Sequence, residues 1–288
     1  SSASNASVTN SNTCQLDTRW GLNGHCLFLE EKVFDPSGAV TYEFAVKHYN
    51  TNINMYHYTL VQDDGYVRGF VGNWKVDSGR IEWQSVYLPG APNDVVQRMN
   101  EMQLAPGKRE TRTEISRAGQ LEITAVTRAE RKGSAQTELP ATPATPERAR
   151  RGRGGIWNES ESFTVNGQPE TIQMTGRARW TSGGRALLYE GVIHSESEKE
   201  YFMWIKTYDR EMKIYRFIHF HTDGPVDHFE GDWEETPKTI TWRSIQPPGE
   251  YLIRETFVSP THRNWRIEAY NDQGKTYHTS DGESRLQE

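Results

Sequence analysis

Arg179-Trp180-x-x-x-Gly184-x-x-Leu187-x-x-Glu190 repeats the spacing of an earlier stretch, Arg19-Trp20-x-x-x-Gly24-x-x-Leu27-x-x-Glu30. After one deletion the correspondence resumes. Lys206, Tyr208, Tyr215, Asp223-Gly224, Phe229, Gly231, Trp233, Ile240, Trp242 and Ser244 fall on Lys47, Tyr49, Tyr56, Asp64-Gly65, Phe70, Gly72, Trp74, Ile81, Trp83 and Ser85. Tryptophans and glycines held in register over this length mark a duplicated unit. The period is far longer than the roughly 20 to 50 residues of a solenoid repeat, so each copy is expected to be a whole domain with its own core.

Outward from the repeat, the chain of 288 residues divides into residues 14–131, a first copy, residues 132–155, a linker, and residues 156–288, a second copy. The linker carries Pro140, Pro143 and Pro146, then Arg148, Arg150, Arg151 and Arg153 among glycines, with almost nothing apolar. Within each copy, short runs of apolar and aromatic residues are separated by turn residues, including Asp63-Asp64-Gly65, Asn166-Gly167, Asp223-Gly224 and Pro247-Pro248-Gly249. A departure in length at Ala91–Gly107 leaves room for a short helix over Asp94–Met102. Trp20 to Glu31 reads as one strand, and the second copy has an extra leading strand at Glu161–Val165. About ten short antiparallel strands in the second copy, fewer in the first, and no long helix describe an all-β protein of two tandem up-and-down β-barrels.

Composition narrows the functions open to such a chain. Its 9 Trp, 13 Tyr and 10 Phe against a hydrophobic fraction of 34% suit strands with one buried aromatic face. A net charge of -6 gives the wrong field for nucleic acid or an anionic membrane. No apolar run approaches the roughly 20 residues of a membrane-spanning helix, so membrane insertion by helices is not expected. Cys14 and Cys26, the two cysteines, exclude a four-cysteine metal site and leave one disulfide or two thiols open. The Ser/Asn/Thr-rich start, Ser1 to Thr13, reads as the spacer after a removed signal peptide or as a polar tail, which points to a secreted or periplasmic protein.

A two-residue turn at Asp223-Gly224 pairs Phe220 with Asp227, Ile218 with Phe229 and Arg216 with Gly231. This face is the more apolar and is expected inside the barrel. Arg216 then anchors an anionic ligand, with Trp204, Ile218, Phe229, Trp233 and Trp242 as walls, and His57 opposite Gly72 is the matching polar group in the first copy. Two alternatives stand beside this reading: Arg216 is a structural arginine paired with a glutamate such as Glu190, or the two faces are exchanged. The opposite face gathers His219, His221 and His228, adequate ligands for Zn or another transition metal but expected to face solvent. At the matching places the first copy has Leu60, Gln62 and Gly69.

The second copy, through Arg177-x-Arg179-Trp180-x-x-x-Gly184-Arg185-x-Leu187, Thr207-Tyr208-Asp209, Tyr215-Arg216, Phe229-x-Gly231-x-Trp233 and Thr239-x-Thr241-Trp242, resembles an uncharacterised family of bacterial lipocalin-like domains. The resemblance covers about Thr171 to Gln287, and in weaker form Thr18 to Arg131. It implies a calycin-type barrel, often in exported proteins, and no established reaction or ligand. The resulting expectation is a protein that binds a small, partly apolar, anionic molecule inside a barrel and needs no cofactor. A barrel enzyme, metal-dependent or a cyclase or isomerase, and a structural or protein-interaction module are the alternatives. Residues kept in both copies are expected to be framework, and function is expected where the copies differ.

Overall fold

The computed structural model describes residues 13–34, 37–87, 94–105, 108–130, 152–181, 183–195, 199–222 and 224–287. The polar start lies outside the described residues apart from Thr13, as does most of the expected linker. The chain divides into two compact units, Ser1–Glu138 and Leu139–Glu288. Both are all-β.

The first unit is a meander of nine strands: β1 (Thr13–Gly21), β2 (Cys26–Phe34), β3 (Val40–Asn50), β4 (Met55–Gln62), β5 (Val67–Lys75), β6 (Arg80–Tyr87), β7 (Val95–Ala105), β8 (Lys108–Arg117) and β9 (Gln120–Glu130). Each pairs antiparallel with its neighbours in sequence. The second unit adds a tenth: β10 (Gly155–Val165), β11 (Gln168–Thr181), β12 (Ala186–His194), β13 (Lys199–Asp209), β14 (Ile214–His221), β15 (Val226–Glu234), β16 (Thr239–Gln246), β17 (Pro248–Ser259), β18 (His262–Tyr270) and β19 (Thr276–Leu286). β10 pairs with β11 on one side and β19 on the other and closes the second unit into a ten-stranded antiparallel barrel. The first unit has no counterpart of β10 among the described residues. Its edge strands β1 and β9 approach within 8 Å between Cα atoms, but the sheet is not closed.

Two local expectations are corrected, and the question left open for the two cysteines is answered. Val95–Ala105 is a strand, not a helix: Gln97 and Met99 are buried on either side of exposed Arg98, the period of two that a strand imposes. Trp20–Glu31 is broken at Leu22, Asn23 and Gly24, whose positive φ values of 48°, 53° and 93° reverse the chain. Cys14 and Cys26 are buried and are not joined in a disulfide. Cys26 lies opposite Gly21 and Cys14 opposite Val33, so they stand seven strand positions apart, on the order of 20 Å, far beyond disulfide reach. Burial, reinforced by nearby Glu31, pushes the Cys14 thiol up to about 11.

The recurring Gly–Trp pairs are packing devices. A Cβ on Gly231 would come 2.5 Å from the Trp242 ring, and one on Gly72 would come 2.5 Å from Trp83. In both copies the missing side chain seats the buried tryptophan of the next strand, so the glycine leaves room for an indole and not for a guanidinium. Gly231→Ala is therefore expected to lower the urea stability of the second barrel by about 1–3 kcal/mol through overpacking, read from tryptophan fluorescence. Gly249→Ala, whose Cβ meets nothing within 4 Å, tests by comparison the cost of its positive φ alone.

Candidate functional site

Five hairpins of the second barrel, β10–β11, β12–β13, β14–β15, β16–β17 and β18–β19, turn at one mouth. Between that mouth and a charged floor lies a cavity of about 310 Å³. Its walls are aromatic: Phe202 and Trp204 of β13, Phe217 of β14, Phe229 of β15, Trp242 of β16 and Trp265 of β18. Tyr189 stacks flat on Trp204, with centroids 4.7 Å apart and 1° between planes, and Phe217 stacks on Phe229 at 5.0 Å.

The inward face is the one carrying Phe217, His219 and His221, the reverse of the sequence expectation. The register explains the reversal. His221 N–H donates to the Pro225 carbonyl and Gly224 N–H to the His221 carbonyl, so three residues, not two, form the loop. Phe217 then pairs with Phe229 and Tyr215 with Gly231. A slip of one residue changes which side chains share a face.

Arg216 and Ile218, expected as ligand contacts, therefore alternate away from the lumen. The Arg216 guanidinium is buried against Asp209 Oδ2 (3.0 Å from Nε, 2.9 Å from Nη2) and Glu230 Oε1 (3.0 Å). It is a structural arginine paired with Asp209 and Glu230. His57 is likewise off the inner face: it pairs with His48, ring centroids 5.0 Å apart, while Tyr56 lies opposite Gly72. Trp204, Phe229 and Trp242 do line the cavity. Trp233 shares their face but packs beyond the cavity against Phe257, at 5.7 Å.

The floor is an ion cluster that the sequence reading did not single out. Lys206 Nζ lies 2.5 Å from Glu255 Oε2, which also accepts from Trp242 Nε1 at 3.1 Å. Arg263 bridges Glu255 Oε1 at 2.8 Å and Glu159 Oε1 at 2.7 Å. All four ionic groups are buried. Burial pulls Lys206 down to about 8 despite Glu255, with Arg263 adding to the effect. Burial alone would raise Glu255, but its two cations hold it down at about 2.

The first unit repeats the arrangement. Lys47 donates to Glu101 at 2.7 and 2.5 Å, and Arg109 donates to Glu31 at 2.5 Å and approaches Glu101 at 3.8 Å. The signal was present as Glu101 with Arg109 and Glu255 with Arg263, each pair eight residues apart, but it lies past the aligned stretch. Glu31 of β2 takes the role that Glu159 plays from β10, a strand with no counterpart among the described residues of the first unit.

At the mouth, His219 and His221 face the lumen with their rings 4.3 Å apart. Asp227 lies opposite His219, with Oδ2 3.0 Å from His221 Nε2 and 3.9 Å from His219 Nδ1. Burial lowers the pKa of His219 below its usual value, and the two imidazoles hold Asp227 well below the carboxylate range against the effect of burial. His228 pairs with Ile218 on the other face and does not join them. The cavity lining carries Lys206 and Arg263 against Glu159, Glu161, Glu200 and Glu255, an excess of carboxylate.

A scan against protein-family models and a search of curated proteins gave no match. Among solved structures the chain is similar to a DUF3598-family protein of unknown function from Nostoc punctiforme, at 12% identity over 96% of each chain and a TM-score of 0.27.

Glu255→Gln is expected to cost about 3–5 kcal/mol, because it leaves Lys206 and Arg263 buried together without their shared carboxylate. The folded state holds Glu255 at about 2 against an ordinary 4.5, so its contribution is complete above pH 4.5 and is lost as pH falls toward 2. Urea midpoints measured from pH 7 to pH 3 should therefore show the wild type and the variant converging in acid.

Proposed function

We propose that the second unit is a lipocalin-like binding barrel that holds one small, largely apolar molecule in its lumen, and that the protein carries or sequesters this molecule. The observation that carries the reading is the cavity of about 310 Å³ with aromatic walls and a few convergent polar groups. Ligand sites are of this kind, at volumes of roughly 300–1,000 Å³. A purely structural module would fill its barrel, and the cavity speaks against that. Arg216, the expected anchor for an anionic ligand, is turned away from the lumen and paired with two acids, while the lining carries excess carboxylate. A neutral or cationic polar end therefore suits the site better.

Gently purified protein examined by native mass spectrometry should show an organic adduct that is lost on denaturation. Independently, the neutral fluorophore N-phenyl-1-naphthylamine should bind with quenching of the lumen tryptophans. Ile267→Trp, which places an indole in the cavity from β18, should weaken that binding by about tenfold, equivalent to ~1.4 kcal/mol. Fluorophore binding unchanged by Ile267→Trp would remove the lumen from consideration.

A further inference from the structure

We propose that His219, His221 and Asp227 form a binding site for one divalent transition-metal ion at the mouth of the second barrel, with the open coordination position turned toward the lumen. One ligand atom from each residue lies within 4.8 Å of the other two. A zinc ion bound at about 2.0–2.2 Å to each of three tetrahedral ligands holds those atoms roughly 3.3–3.6 Å apart. The observed 3.0 and 3.9 Å from Asp227 Oδ2 to the two imidazoles fall on either side of that value, so small side-chain rotations complete the set.

The plain alternative is a hydrogen-bonded polar mouth, in which Asp227 only orients the imidazoles. It accounts for His221, whose Nε2 is within hydrogen-bond distance. His219 stands farther off, with Nδ1 3.9 Å from the same oxygen, longer than a well-formed hydrogen bond. An ion between them satisfies all three at once. Two imidazoles and a carboxylate are a ligand set for zinc and neighbouring borderline ions. The surrounding charge agrees, since the lining holds four carboxylates against two cations even before Asp227 is included.

Comparison of the copies gives independent support. At the places of His219, His221 and Asp227 the first unit has Leu60, Gln62 and Arg68, and Arg68 donates to Gln62 at 2.9 Å. The strands and the ion cluster repeat without these residues. The meander shared by the two units therefore forms without them, and their convergence in one copy calls for a separate reason.

The chain of 288 residues, freed of metal with a chelator, is titrated with Zn²⁺ in a calorimeter and with Co²⁺ in a visible spectrophotometer. One equivalent should bind, and Co²⁺ should develop the intense visible bands of a four- or five-coordinate ion in place of the pale hexaaqua spectrum. His219→Ala, His221→Ala and the near-isosteric Asp227→Asn should each weaken binding on the order of 100-fold or more. Exposed His25→Ala should change nothing. Absence of stoichiometric binding, an octahedral Co²⁺ spectrum, or affinity unaltered in Asp227→Asn would overturn the site. Should the histidine variants not fold by near-UV circular dichroism, the wild-type Co²⁺ spectrum decides alone. The metal site does not depend on the lumen ligand: Ile267→Trp is expected to bind metal as the wild type does while binding the fluorophore about tenfold more weakly, so each reading can fail separately.

Discussion

A buried carboxylate shared between a lysine and an arginine organises both units. Glu255 on β17 is reached by Lys206 on β13, four strands away around the barrel, and by Arg263 on β18, which continues to Glu159 on β10. No single hairpin can make this cluster, because its members come from strands that are not all neighbours. Each cation left unpaired at this depth would be strongly destabilising, so the cluster forms complete or the barrel does not close properly. The same logic accounts for the curl of the open first unit. Arg109 on β8 reaches Glu31 on β2, which requires a nine-stranded sheet to bend until strands near its two edges face each other.

Framework and function separate along the line of the duplication. The Gly–Trp seats and the lysine–glutamate–arginine cluster occur twice, at topologically equivalent places, and both serve packing. In the first unit the inner face is a cluster of Leu29, Ala45, Tyr58, Leu60, Phe70, Trp83 and Met99. In the second, the corresponding region adds histidines, an aspartate and a ring of larger aromatics around open volume. Phe202 and Trp204 stand where the first copy has Glu43 and Ala45, so the second lumen is built from different material on the same frame.

Much of the architecture was legible because β-structure writes itself in local chemistry. Asn166-Gly167 marked the β10–β11 hairpin, and both residues have the positive φ of its turn, 50° and 79°. The extra leading strand was visible as well, and it is the strand that closes the barrel. The missed turn at Leu22-Asn23-Gly24 shows where local reading is weak. Leu22 is buried and apolar, so the segment looked like continuing strand, although its repeat partner Ser182-Gly183-Gly184 has the composition of a turn. The ion cluster was missed for another reason. Isolated charged residues in strands read as solvent-facing, and only the curl of the whole sheet brings Lys206, Glu255 and Arg263 to one point.

The error that mattered most for the site was one residue of register, and Pro225 held the information to avoid it. In a two-residue hairpin around Asp223-Gly224 the closing pair, Thr222 and Pro225, would have to exchange two backbone hydrogen bonds. Proline has no N–H to give. Lengthening the loop to three residues removes the demand, because Pro225 then contributes its carbonyl, accepting from His221 N–H at 3.1 Å. The first copy closes the same way, with Gln62 N–H donating to the Tyr66 carbonyl at 2.9 Å, so the geometry belongs to the fold, and the proline excludes the competing turn. The three-residue loop therefore determines which residues of β15 stand beside the inward face of β14. It brings Asp227 to the same mouth as His219 and His221, sends His228 to the opposite face, and keeps Arg216 with its own acids outside the lumen.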